Sequence, residues 1–103
     1  IFDVGEENPA FVGGMQKLYE YLRKNIQYPE MAKENGIQGK VFVQFVVWKD
    51  GTIKDVKIVK GVHKTLDGEA QRVVKSMPKW TPGKQRGTAV NARFTLPIKF
   101  RIS

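Results

Sequence analysis

The chain has 103 residues, with 18 Lys and Arg against 10 Asp and Glu for a formal charge of +8, one histidine and no cysteine. That length holds one domain, and 41% hydrophobic residues with 11% aromatics suffice for a small core, which excludes intrinsic disorder. Without cysteine there is no disulfide, thiolate zinc site or cysteine nucleophile, and no apolar run approaches the roughly 20 residues that cross a bilayer.

Residues 1–12, with Glu6 and Glu7, read as a loose N-terminal arm ahead of a domain spanning 13–103. The chain opens at Ile1 rather than Met, so we expect a piece of a longer protein whose targeting or anchoring segment lies outside it. After Gly13 and Gly14, apolar Met15, Leu18, Leu22 and Ile26 recur at helical spacing opposite Lys17, Glu20, Arg23 and Lys24, which predicts a helix. Pro29 disfavours helical geometry at Tyr28 and ends it, then suits the start of a short helix over 30–34 that Asn35 and Gly36 close. From Lys40 the period becomes two. Val41, Val43, Phe45 and Val47 alternate with Phe42, Gln44, Val46 and Trp48, which predicts a central strand covered on both faces.

Lys49-Asp50-Gly51-Thr52 is a hairpin signal, because glycine takes the positive φ such turns require. The returning strand over 53–60 changes apolar phase between Ile53 and Val56, as a bulge near Asp55 would produce. Thr65 suits the N-cap of a helix with Leu66, Ala70, Val73, Val74 and Met77 on its apolar face, Asp67 and Glu69 near its positive end, and Pro78 beyond it. Residues 79–87 read as a loop. The clearest pattern follows, with Val90, Ala92, Phe94, Leu96, Ile98, Phe100 and Ile102 alternating with polar residues in one strand over 90–102. Pro97 lacks the backbone donor of a central strand, which places this strand at a sheet edge. With Pro97 on the open side, the main chains of Asn91, Arg93, Thr95 and Lys99 face that side too.

No constellation for chemistry stands out. His63 sits beside Lys64 without a convergent carboxylate or second histidine, and Asp67 and Glu69, two apart on a helix, point away from each other. The glycines match neither a phosphate-cradling loop nor a dinucleotide fingerprint, so no catalytic residue, metal site or cofactor is predicted. The basic residues are scattered, and a nucleic-acid footprint would want aromatics beside them. Phe94 and Phe100 instead share the apolar face of the last strand, opposite Arg93 and Arg101, which favours a solvated, edge-protecting face. Trp48 and Trp80 read as packing residues.

From Tyr28 to the end, the ordered set of motifs resembles the TonB C-terminal domain family. It comprises Tyr28-Pro29 with Ala32, Gly36-Ile37-Gln38-Gly39-Lys40-Val41, Asp50-Gly51, Leu66-Asp67 with Glu69-Ala70, and Trp80-Thr81-Pro82-Gly83-Lys84. The resemblance implies a two-layer α+β fold, a three-stranded antiparallel sheet with helices packed on one face. It implies a non-enzymatic, periplasmic domain of an inner-membrane-anchored protein, driven by ExbB and ExbD through a preceding segment. The implied partners are TonB-dependent outer-membrane transporters, whose plug domains offer a TonB box that adds as a strand beside the last strand. Candidate partner-binding residues are then Tyr28 and Pro29 at one end of the docking edge and Val90, Asn91, Ala92, Arg93, Phe94 and Thr95 along it. Pro97 removes a donor, so the guest ladder is expected beside the first half of the strand. Paired edges of two copies would give a homodimer. The alternatives are a basic binder of nucleic acid or an anionic surface, and a TonB-like domain of an envelope sensor.

Overall fold

The computed structural model describes residues 6–102. In chain order its elements are α1 (Gly14–Asn25), α2 (Glu30–Glu34), β1 (Gly39–Val47), β2 (Ile53–Lys60), α3 (Lys64–Lys75), β3 (Gly83–Gln85), β4 (Thr88–Val90) and β5 (Ala92–Phe100). The most apolar strand takes the middle of an antiparallel sheet ordered β2-β1-β5. Its inward residues Val41, Val43, Phe45 and Val47 are fully buried, and from the helices Leu66, Ala70, Val73 and Val74 of α3 and Leu18 and Leu22 of α1 join the same core. Each fully buried Val or Leu contributes about 1.5–3 kcal/mol of transfer free energy, so the helices are held by this face rather than by propensity. The result is a two-layer α+β fold with helices on one face of the sheet.

Among the described residues no helix packs on the other face, so β1 is covered there by side chains rather than by a second layer, with Val46 buried and Phe42, Gln44 and Trp48 half-buried. Cross-strand rows there read Lys60–Phe42–Pro97, Lys57–Gln44–Thr95 and Lys54–Val46–Arg93. Long cationic side chains do the covering: Lys54 Nζ stands 4.4 Å from the Trp48 ring centroid and Lys60 Nζ 5.8 Å from that of Phe42. Trp48 therefore packs on the outer face, half-buried with its Nε1 out of contact with solvent, rather than in the core between sheet and helices. Trp80 is buried as expected, ringed by Phe11, Phe45 and Phe94 at centroid distances of 5.8, 5.2 and 5.2 Å.

The predicted bulge is present. Asp55 has φ +54°, and the register slips by one residue between Gln44↔Lys57 and Val46↔Lys54. A second slip, between Phe42↔Lys60 and Val43↔Ile58, leaves Val59 as an extra residue. At the turn, Gly51 has φ +89°, and a Cβ there would stand 2.4 Å from the Trp80 carbonyl oxygen, so only glycine fits. Gly36, φ +66°, closes α2 with Ile37 N–H donating to Ala32 O and Gly36 N–H to Lys33 O, a Schellman arrangement.

Four local expectations are corrected. The N-cap of α3 is His63, whose Nδ1 accepts from the Thr65 N–H at 3.3 Å, because Thr65 already lies inside the helix. Residues 79–87 are not a simple loop: β3 and β4 form a hairpin across Arg86 (φ +53°) and Gly87 (φ +75°), the paired positive φ values of a tight two-residue turn. The strand predicted over 90–102 is interrupted at Asn91, so that Val90 ends β4 and β5 begins at Ala92. Of the supposed loose arm, residues 1–5 lie outside the described residues. From Glu7 to Phe11 it is pinned: Glu7 and Lys84 exchange main-chain bonds of 3.1 and 2.9 Å, Ala10 and Thr81 of 3.0 and 2.8 Å, and Phe11 enters the core.

Candidate docking edge

β5 forms one outer edge of the sheet, and among the described residues no strand pairs with its far side. Its nine residues pair with Gly39–Val47 without a register break, including Phe42↔Pro97. A residue with no N–H fits an unbroken antiparallel ladder only where its main chain faces away from the partner, so Pro97 points its backbone outward. Alternation then aims the main chains of Arg93, Thr95 and Lys99 at the open side, and those of Ala92, Phe94, Leu96, Ile98 and Phe100 at β1.

The two sheet edges differ. β2 carries two bulges and the outward lysines Lys54, Lys57 and Lys60, features that obstruct pairing with another strand. β5 has no bulge, and Pro97 is its single interruption.

The sequence-derived site residues fall into distinct groups. Thr95 is exposed on the open edge, and Arg93 shares its orientation while being half-buried. Ala92 is buried, and Phe94 packs on Phe45 and Trp80, so both shape the strand from inside. Val90 pairs with Gly83 in the small hairpin, and Asn91 uses its Oδ1 to accept the Lys49 N–H at 2.8 Å, tying the start of β5 to the β1–β2 turn. Tyr28 lies at the opposite end: its ring meets Phe100 edge-on at 5.7 Å and its hydroxyl donates to the Ile37 carbonyl, while Pro29 caps α2 beside it. Thr95 and Phe100 are five residues apart in a strand rising about 3.4 Å per residue, so roughly 17 Å separates the two groups along one edge.

Between them runs a groove that the sequence reading missed. About 490 Å³ in volume, it lies between α1 and the second half of β5, with an apolar floor of Leu22, Ile26, Ile98 and Phe100. Tyr19 and Tyr28 line it, and Arg23, Lys40, Lys99 and Arg101 supply its charge. The signal was present in α1 as Tyr19, Arg23 and Ile26, a stripe beside the core-facing Leu18 and Leu22, but nothing in the sequence said which strand it would face.

The wall of that groove is fixed by α3. The Arg72 guanidinium donates to Glu69 at 2.6 and 2.8 Å and to the Asn25 carbonyl at 2.9 Å, while Glu69 also accepts the Gln27 N–H at 2.7 Å. Tyr21 and Ser76 hydroxyls bond at 2.8 Å, and together these contacts clamp the C-terminal half of α1 onto α3. The hydrogen-bonded Arg72 guanidinium holds the Glu69 carboxyl below the ordinary carboxylate value, against the opposing effect of burial, with the Gln27 N–H adding to the depression. Asp50 is likewise held low by the Thr52 hydroxyl and N–H, which fix the hairpin turn. Among the described residues no cluster of His, Cys, Asp or Glu is arranged to hold a metal ion.

Comparison with known proteins gives the family of the fold. The chain is similar to the TonB protein of Pseudomonas aeruginosa, 33% identical over 78 residues that cover 73% of this chain and 22% of that protein. It is similar also to TonB of Helicobacter pylori, 37% identical over 46 residues, or 45% of this chain and 16% of that protein. The chain thus spans about a fifth or less of these relatives. Two NMR solution structures of the H. pylori TonB C-terminal domain superpose on it. One has a TM-score of 0.65 at 27% identity, covering 84% of this chain and 91% of that one, and the other 0.67 at 26%, covering 86% and 80%. The family described as Gram-negative bacterial TonB protein C-terminal matches residues 24–102, from the end of α1 through β5. This chain belongs to the TonB C-terminal domain family.

Proposed function

We propose that this domain is a non-enzymatic binding module that engages the TonB box of TonB-dependent outer-membrane transporters by strand addition along the open edge of β5. The observation that carries the reading is the asymmetry of the sheet: β2 is bulged and lysine-guarded, whereas β5 presents a nine-residue, bulge-free edge. Main-chain hydrogen bonds would supply affinity with little demand on the guest's sequence, which suits one module serving many receptors. In the longer protein the domain would lie in the periplasm, tethered to the inner membrane and coupled through ExbB and ExbD to the proton-motive force. Its supports are the family membership, the fold and an outer edge that no strand among the described residues pairs with. Self-pairing of two β5 edges into a homodimer would compete for the same surface.

The test is an amide chemical-shift titration of the chain with a TonB-box peptide. Shifts concentrated on β5 and reaching Tyr28 are expected. Shifts confined to β2 or α3 would refute strand addition at β5. Binding that collapses steeply with salt and maps to the lysine-rich outer face would favour a polyanion binder instead.

A further inference from the structure

We propose that the groove between α1 and the second half of β5 is a subsite for an acidic, aromatic-bearing peptide segment continuous with the guest strand. The inference rests on the strand-addition reading and adds to it a place where the guest's side chains are chosen. Three observations converge on it.

The groove borders the end of β5 where pairing is weakest. Pro97 offers a carbonyl but no N–H on the open side, so a guest strand loses a rung there and must be held by other means beyond it. Alongside Pro97, Ile98 and Phe100 with Leu22 and Ile26 form an apolar floor under two tyrosine rings, and about 490 Å³ falls within the range that encloses a large side chain or small ligand. Tyr28 cannot swing away easily, because its hydroxyl is engaged with Ile37 and its ring rests on Phe100.

The charge is one-sided. Arg23, Lys40, Lys99 and Arg101 all line the groove, all four are exposed, and among the described residues no carboxylate joins them in the lining. Among the described residues none of the four has an ion-pair partner, and of the helical cations only Lys17 and Arg72 face carboxylates, Glu20 and Glu69. Four like charges around an apolar floor raise the local potential for an anionic partner and penalise a basic one. A second depression of about 280 Å³ shares Lys40, Lys99, Phe100 and Arg101 and continues past Gln38 and Gly39, so the basic track extends beyond the end of β5. A bulky apolar side chain in the groove followed by acidic residues on that track matches this order of features. A free small anion would leave the apolar floor unused.

The experiment uses the 103-residue chain and three synthetic acetylated peptides: an alternating Thr-Val strand alone, the same strand ending in Phe-Asp-Asp, and the same strand ending in Phe-Asn-Asn. Affinity is read by fluorescence anisotropy and the site by amide shifts. The Phe-Asp-Asp peptide is expected to bind roughly tenfold more tightly than the Phe-Asn-Asn peptide at low salt, and to shift residues 19–26 and 97–101 in addition to the edge. The exposed double substitution Arg23→Glu with Arg101→Glu should abolish that tenfold preference and leave the affinity for the plain Thr-Val strand within about twofold. Equal affinity for the Asp and Asn peptides, or an unchanged preference in the double variant, would overturn the subsite while leaving strand addition standing. Absence of β5 shifts with any of the three peptides would overturn both.

Discussion

Two adjacent proline substitutions separate the faces of β5. Thr95 points its N–H away from the sheet, so Thr95→Pro removes a donor that the fold does not use, and its cost is limited to lost β propensity, about 0.5–1 kcal/mol. Leu96, 1% exposed and paired with Val43, points its N–H at β1. Leu96→Pro strands the Val43 carbonyl in the interior at about 1–3 kcal/mol and adds a large-to-small loss of about 2–5 kcal/mol, so at least 3 kcal/mol is expected. At about 4–8 °C per kcal/mol for a chain of this size, Thr95→Pro should lower the melting temperature by less than about 8 °C. Leu96→Pro should lower it by more than about 12 °C or abolish cooperative unfolding. Thermal circular dichroism distinguishes them without any ligand. In a titration with a TonB-box peptide, Thr95→Pro should then weaken binding about two- to tenfold, the worth of one net hydrogen bond. If Thr95→Pro unfolds the domain as Leu96→Pro does, the orientation of the edge argued from Pro97 is wrong.

Gly51→Ala faces both a positive φ and the Trp80 carbonyl 2.4 Å from the new Cβ, and should lose at least about 2 kcal/mol in chemical denaturation. Gly36→Ala shares the positive φ but meets open space, so about 1 kcal/mol is expected, and equal effects would deny the clash. Trp80→Ala should cost about 3–5 kcal/mol and erase the near-ultraviolet dichroism of the Phe11, Phe45 and Phe94 cluster. Glu69 has a depressed folded pKa, so its contribution is complete above the ordinary value of 4.5 and is lost as pH falls through the lower folded value. Glu69→Gln should therefore flatten the acid limb of the stability profile below the ordinary carboxyl value of 4.5, and an unaltered limb would discount the Glu69–Arg72 clamp.

The elements whose signals are local were legible in the residues. The bulge at Asp55 followed from an odd step in apolar phase, the edge placement of β5 from one proline, and the ends of α2 from Pro29 and Gly36. Readings that failed depended on what lies across space. Phe42 and Trp48 looked like a second buried face because apolarity does not reveal that lysine stems on β2 lie over them. The β3–β4 hairpin was hidden because Arg86 fills a positive-φ position where asparagine or glycine is the usual cue. His63 is the N-cap in place of Thr65 because the helix starts two residues earlier, and its ring nitrogen accepts the N–H of Thr65 itself. At the candidate edge, the outer place of β5 in the sheet was readable, but the groove was not, since it exists only once α1 is clamped onto α3 by Arg72 and Glu69.

The unequal ladders of the sheet set an order of mechanical yielding. A tension applied along β5 enters β1 through nine consecutive residue pairs in unbroken register, so the load is shared in shear across the whole strand. The same tension reaching β2 crosses a ladder divided at two bulges into shorter stretches, each of which can part separately. Under a pull applied along β5, β2 should peel from the sheet before β5 shears from β1, so the loaded strand would keep its seat longest.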